Sequence, residues 1–133
     1  MINYDLRQWT MEDKEFIYNL TKLILKDYID EIWGWDEEYQ RKDFEVYYNP
    51  VNNKIITCNN SDIGILETSE DNDEIHIIEI AILPEYQGMG IGTNVLKQII
   101  DNSKATDKRV KIGCFKINRE AKKLYIKLGF KHI

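Results

Sequence analysis

The stretch Ile80-Ala81-Ile82-Leu83-Pro84-Glu85-Tyr86-Gln87-Gly88-Met89-Gly90-Ile91-Gly92 decides the fold. Its first part completes an isoleucine-rich run from Ile75 to Leu83 that reads as a strand buried on both faces. Pro84 ends that strand, since proline has no amide to give to a ladder. Gly88, Gly90 and Gly92 then lead into Ile91, Val95, Leu96, Ile99 and Ile100, which fall on one face of a helix. A glycine-rich turn between a buried strand and a helix leaves backbone amides exposed at the positive end of the helix, where a phosphate group is stabilised. Phosphate binding is the first functional expectation, and a tight turn that binds nothing is its alternative. Neither common nucleotide fingerprint fits. G-x-G-x-x-G begun at Gly88 needs glycine where Thr93 stands, and Thr93-Asn94 supplies neither the glycine nor the lysine of the Walker pattern. The loop also follows an antiparallel meander instead of a first strand, which disfavours NAD.

Upstream, the pattern predicts a short strand from Ile2 to Arg7 and a capping box at Thr10 and Asp13. Phe16, Ile17, Leu20, Leu23 and Ile24 repeat at helical spacing, predicting a helix that ends between Asp27 and Ile29. Trp33-Gly34-Trp35-Asp36 interrupts the helical pattern before a more polar helix from Glu37 to Val46. Lys54 to Cys58 and Ile63 to Thr68 read as an antiparallel hairpin joined by Asn59-Asn60-Ser61-Asp62. Downstream, Arg109 to Phe115 alternates as a strand. Ala121, Leu124, Tyr125 and Leu128 share the inner face of a last helix from Asn118, with Gly129 at its left-handed stop.

At 133 residues the chain suits one domain, with a balance of 43% hydrophobic and 31% charged residues that excludes wholesale disorder. Eighteen Lys and Arg against 23 Asp and Glu leave a net charge of −5, which argues against nucleic acid or an anionic membrane as partner. Two cysteines, Cys58 and Cys114, make no disulfide framework and have no metal-ligand spacing, so no metal is expected. Asp5 and Arg7 stand where a signal peptide would be apolar, and no window approaches the roughly 18 apolar residues of a membrane span. A cytoplasmic location follows as an expectation.

The strand, proline and Gln87-Gly88-Met89-Gly90-Ile91-Gly92 loop, together with Asn118, Tyr125 and Leu128-Gly129-Phe130 further on, resemble the two signatures of the GNAT superfamily of acetyl-CoA-dependent N-acetyltransferases. The resemblance runs from the first strand to Phe130 and implies a mixed α/β (α+β) fold over residues 1–133, a mostly antiparallel twisted sheet with about four helices. It implies acetyl-CoA as cosubstrate, with amides from Gln87 through Met89 and Ile91 to Gly92 and Thr93 at the pyrophosphate. The pantetheine would lie along Ile80, Ala81 and Ile82, in a splay between that strand and the Arg109 strand, with the Ile82 amide near the thioester oxygen. Asn118 would hydrogen-bond the pantetheine arm, and Tyr125 would protonate the departing thiolate. A phenol of pKa about 10 can serve a thiol of about 8.5 at close range. On periodicity alone Tyr125 reads first as a core aromatic, and the Asn118 and Leu128-Gly129-Phe130 context reverses that preference.

A small-molecule or peptide amine acceptor poses a second demand, because an ammonium of pKa about 10.4 loses its proton at a cost of about 4–5 kcal/mol at pH 7. Glu79 is the candidate base and His76 the competitor; strict alternation puts them on opposite strand faces unless a bulge intervenes. Trp33, Trp35 and Asp36, amid Asp30, Glu31, Glu37 and Glu38, are candidates for recognising a cationic acceptor, against the alternative of core packing and helix capping. The chain stops at Ile133, where the family continues into another strand. The expectation is a sheet without its C-terminal strand, cut short, completed by a partner chain such as a homodimer, or left open at one edge. Besides an N-acetyltransferase, the residues admit a non-catalytic acyl-CoA-binding or regulatory module of the same fold, or a nucleotide-binding or structural α/β domain.

Overall fold

The computed structural model describes residues 3–114 and 118–131. Within them, β1 (Asp5–Gln8), β2 (Lys54–Cys58), β3 (Ser61–Glu70), β4 (Glu74–Ile82) and β5 (Arg109–Ile112) form one open sheet in sequence order. The first four strands pair antiparallel, and β5 pairs parallel with β4. Helices α1 (Lys14–Trp33) and α2 (Glu37–Tyr47) connect β1 to β2, α3 (Ile91–Ala105) carries the chain from β4 to β5, and α4 (Arg119–Lys127) follows. Mixed, mostly antiparallel and four-helical, this is the architecture the sequence predicts.

Two apolar layers hold the sheet. On one face Ile56, Ile63, Leu66 and Ile77 pack under Ile91, Val95 and Leu96 of α3. On the other, Ile55, Ile65 and Ala81 pack under Ile17 and Leu20 of α1, with Trp9 beside them. Each such side chain removed from water contributes roughly 1.5–3 kcal/mol, so burial from both sides fixes the register of the central strands. Gly64 is required by close approach: a Cβ there would lie 2.6 Å from the Ala81 carbonyl oxygen.

A bulge interrupts β4. Glu67 pairs with Glu79 and Thr68 with Ile77, so Ile78 has no partner in the ladder and is 47% exposed. The strand is therefore not buried on both faces along its length. Because the bulge restarts the alternation, Ile77 and Ile80 both face α3, and His76 joins Glu79 and Ala81 on the α1 face. The separation of His76 from Glu79 that strict alternation predicts is thereby corrected.

Other boundaries shift for local reasons. Helix α1 continues past Ile29 to Trp33, where Gly34 at φ 79° gives its N–H to the Asp30 carbonyl. The β2–β3 hairpin closes through Asn59 and Asn60 alone, both at positive φ, so β3 begins at Ser61. Strand β1 starts at Asp5, while Ile2 lies outside the described residues. Strand β5 ends at Ile112, with Gly113 and Cys114 irregular and Phe115 outside the described residues. No strand follows β5 among the described residues.

Candidate active site

Pairing between β4 and β5 runs from Glu74 and Arg109 to Ile77 and Ile112 and then stops, although β4 continues to Ile82. The two strands thus part as the resemblance implies, leaving one edge of residues 78–82 without a strand partner among the described residues. The Leu83 N–H turns the other way, to the Ile63 carbonyl at 2.8 Å. Alternation then directs the Ile82 amide and carbonyl to the open edge. There the Gln87 side chain donates from Nε2 to the Ile82 oxygen at 2.9 Å, tying the start of the glycine loop to the fork.

After a single 3₁₀ turn, Pro84–Tyr86, the loop reaches Gly90, the N-cap of α3, at φ 82°. A left-handed residue costs an L-amino acid roughly 1–2 kcal/mol, and a Cβ at Gly90 would meet nothing within 4 Å. Backbone conformation, not space, calls for glycine here. Asp36 caps α2 and Asn118 caps α4, but no side chain caps α3. Its first-turn amides at Ile91, Gly92 and Thr93 are therefore left for an anion, with the helix dipole behind them. Tyr4 anchors this end by donating from its hydroxyl to Asn94 Oδ1 at 2.8 Å, a long-range contact with no local sequence signal.

Helix α4 packs through Leu124, Tyr125 and Leu128 against the α3-side layer, and the cavity it lines with β5 takes in no described residue of β4 or the glycine loop. Asn118 spends its Oδ1 on the Ala121 amide at 3.2 Å, which leaves Nδ2 as the donor for a ligand. At the far end the Phe130 N–H reaches the Tyr125 carbonyl and the Gly129 N–H reaches that of Ile126, each at 3.0 Å. The Tyr125 and Phe130 rings also meet edge to face at 6.0 Å. These are the two hydrogen bonds and the apolar contact of a Schellman stop. Leu128-Gly129-Phe130 thus fixes the helix turn that carries Tyr125. Together with Ile112, Cys114, Leu128 and Phe130, Tyr125 lines a cavity of about 790 Å³. Burial pushes its phenol pKa up, and Cys114 adds to the shift.

On the α1 side of the fork, Thr21 donates from Oγ1 to Glu79 Oε2 at 2.9 Å. Burial pushes the Glu79 carboxyl up to about 7; the Thr21 hydrogen bond opposes that rise, and Glu67 adds to it. Glu67 is itself raised by burial. Thr21 and Glu67 escape the sequence reading because they meet Glu79 only through the packing of α1 and the bulged ladder.

Trp33, Trp35 and Asp36 lie at the α1–α2 connection. Asp36 Oδ1 accepts from the Tyr39 amide as a helix cap. Trp35 donates from Nε1 to Glu37 at 2.8 Å and lies 6.0 Å from the Lys22 ammonium. Trp33 is 72% exposed. Lys22, Trp35 and Tyr18 hold Glu37 down to about 2. Much of the acidic and aromatic cluster thus satisfies itself. Among the described residues no group of three or more His, Cys, Asp or Glu is placed to hold a metal, and no helix is long and apolar enough to cross a membrane.

The structure thus sets a forked parallel strand pair, a helix N-terminus without a side-chain cap and a half-buried carboxyl of raised pKa along and just beyond the second half of β4. The model of the acetyltransferase (GNAT) family matches residues 4–130, and the chain belongs to that family. No curated protein matches the chain by sequence. Among solved structures, a PaiA N-acetyltransferase from Thermoplasma acidophilum in complex with coenzyme A is similar, at 18% identity and TM-score 0.73, over 98% of this chain and 91% of that one. Arabidopsis thaliana Naa50 in complex with the bisubstrate analogue CoA-Ac-MVNAL is similar at 17% and 0.70, over 99% and 85%. The ribosomal-protein-S18-alanine N-acetyltransferase of Escherichia coli is similar at 20% and 0.72, over 98% and 79%. At these identities the likeness is one of fold.

Proposed function

We propose that the chain is an N-acetyltransferase that moves acetyl from acetyl-CoA to a primary amine within a ternary complex. The observation that carries this reading is the fork of β4 and β5, with the uncapped α3 N-terminus at its mouth and Glu79 on its α1 side. The first-turn amides of α3 and the Gly88 to Gly92 loop would hold the pyrophosphate, while the open edge of β4 and Asn118 Nδ2 would hold the pantetheine. Acetyl-CoA supplies an activated acetyl thioester. The Ile82 amide, aimed at the open edge, is the donor for charge developing on the thioester oxygen, and a preset donor favours that charge over the ground state.

The acceptor enters as an ammonium and gives one proton to the Glu79 carboxylate. A carboxyl raised to about 7 still ionises at neutral pH and holds a proton better than an ordinary one. The freed nitrogen bonds to the acetyl carbon as the carbon–sulfur bond breaks. Tyr125 gives its hydroxyl proton to the departing sulfur and regains one from solvent, while the nitrogen sheds its surplus proton to water. His76 lies on the same face as Glu79.

Thermal unfolding with acetyl-CoA, CoA, NAD and ATP, each titrated alone, tests the donor site. Ligand at 100 times Kd stabilises by about 2.7 kcal/mol, several degrees for a domain of this size. A rise with the CoA compounds alone is the expected result, followed by thiol release on adding an amine. Indifference to all four ligands would sink the reading.

A further inference from the structure

Glu67 and Glu79 stand directly opposite each other in the β3–β4 ladder. Opposed residues on one face have Cβ atoms about 5 Å apart. Both point to the α1 side: Leu66 belongs to the α3 layer and Ile65 to the α1 layer, so Glu67 follows Ile65, while Glu79 is held by Thr21 of α1. Like charges placed opposite each other weaken a sheet, and partial burial makes the arrangement costlier. Among the described residues neither carboxyl has a Lys or Arg acting on it. From α1 only the Thr21 hydroxyl reaches Glu79, and from β4 itself His76 shares the face. Charges of α1 and α2 pair with one another, Glu37 with Lys22 and the Tyr18 hydroxyl, Arg41 with Glu15 and Lys14 with Glu45. The ladder thus builds an acidic pair that no cation neutralises, at the step where β5 leaves β4.

We propose that Glu67 is a positioning residue of the transfer site: fixed opposite Glu79 across β3 and β4, it makes the two carboxyls titrate as one pair and sets the pH at which Glu79 takes the acceptor's proton. This rests on the reading of Glu79 as that proton's acceptor. Two carboxyls at this separation release their protons in two coupled steps, the second held back by the charge the first leaves behind. The Glu67 charge adds to the rise that burial gives Glu79, as such a pair requires. One proton then resides on the pair at mildly acidic pH, and its loss on approach to neutrality switches the site on.

Carbon-13 NMR of the glutamate carboxyls across pH 4 to 9 reads the pair directly on the unaltered chain. The expected result is two resonances, assigned through Glu67→Gln and Glu79→Gln, that share two midpoints. In Glu67→Gln the Glu79 midpoint should fall by about one pH unit, the ordinary size of a neighbouring-charge shift. Independent single midpoints in the unaltered chain, or a Glu79 midpoint unmoved in Glu67→Gln, overturn the proposal. The acid limb of kcat/KM, measured with acetyl-CoA and 1,4-diaminobutane, separates the two readings. If the limb moves down with the NMR midpoint, both stand. A midpoint that moves under a stationary limb keeps the pair and removes Glu79 as the base. A limb that only Glu79→Gln abolishes, with no shift in Glu67→Gln, keeps the base and overturns the pair.

Discussion

Tyr125, the proposed proton donor, shows how one side chain is fixed by the turn that follows it. Its backbone carbonyl takes the Phe130 N–H, its ring meets that of Phe130, and it lines the same cavity as Cys114. Replacing it by phenylalanine keeps the ring contact and removes the hydroxyl, and with it the proton donor. Tyr125→Phe should therefore lower kcat by about 10²- to 10⁴-fold, the usual worth of a general acid, with acetyl-CoA affinity and melting temperature nearly unchanged. Stopped-time thiol release together with calorimetric titration checks this; a fall of less than about threefold would remove Tyr125 from the mechanism. Tyr125 and Glu79 are legible in the sequence because a motif or a lone acid on an apolar strand marks them. Nothing local marks Glu67, which becomes a partner only once the bulge sets the register.

Among the elements, α3 has the most exacting start. Thr10 caps the 3₁₀ turn that leads into α1, and Asp36 and Asn118 cap α2 and α4, each legible as a capping residue at a polarity change. Gly90 gives α3 a left-handed entry and no cap, so its amides remain unclaimed by the protein. Gly90→Ala adds a methyl into open space but forces φ 82° on an L-residue. The expected cost is about 1–2 kcal/mol of stability, read as a lower urea midpoint, together with at least tenfold weaker acetyl-CoA binding as the loop relaxes away from that φ. Unaltered affinity would show that the loop's conformation does not matter to the ligand. Element boundaries were less legible than element types. Helix α1 gains a further turn from Gly34, and the hairpin loop shrinks to two asparagines, both decided by backbone hydrogen bonds and φ values that hydrophobic spacing does not encode.

At the scale of the molecule, Arg7 ties the N-terminal strand to the rest. Its guanidinium grips Asp13 with two hydrogen bonds of 2.8 and 2.9 Å and reaches Asp62 on β3 at 3.0 Å. Asp13 also takes the Thr10 amide at 2.8 Å and is buried. The Arg7 hydrogen bonds foremost hold the Asp13 carboxyl below its ordinary value of 3.8, against the burial that raises it. With the native value depressed, this contribution is present above pH 3.8 and is lost as pH falls through the native value. Asp13→Asn should lower stability at pH 7 by about 1–3 kcal/mol and flatten the loss of stability below pH 4, as read by urea unfolding at stepped pH. Parallel stability profiles for the two proteins would remove the ion pair from the acid response.

The sequence alone determined the mixed fold, the order of its elements, the glycine loop and the two signatures that place the chain among acetyltransferases. Those features live in hydrophobic period, turn chemistry and short motifs, which are local. Tertiary structure decided which side chains face one another: Tyr4 with Asn94, Thr21 and Glu67 with Glu79, and His76 on the face of Glu79 instead of opposite it. A single unpaired residue, Ile78, reverses the side-chain alternation from there on, and it shows only once β4 is paired with β3, where Glu79 meets Glu67 and Ile77 meets Thr68.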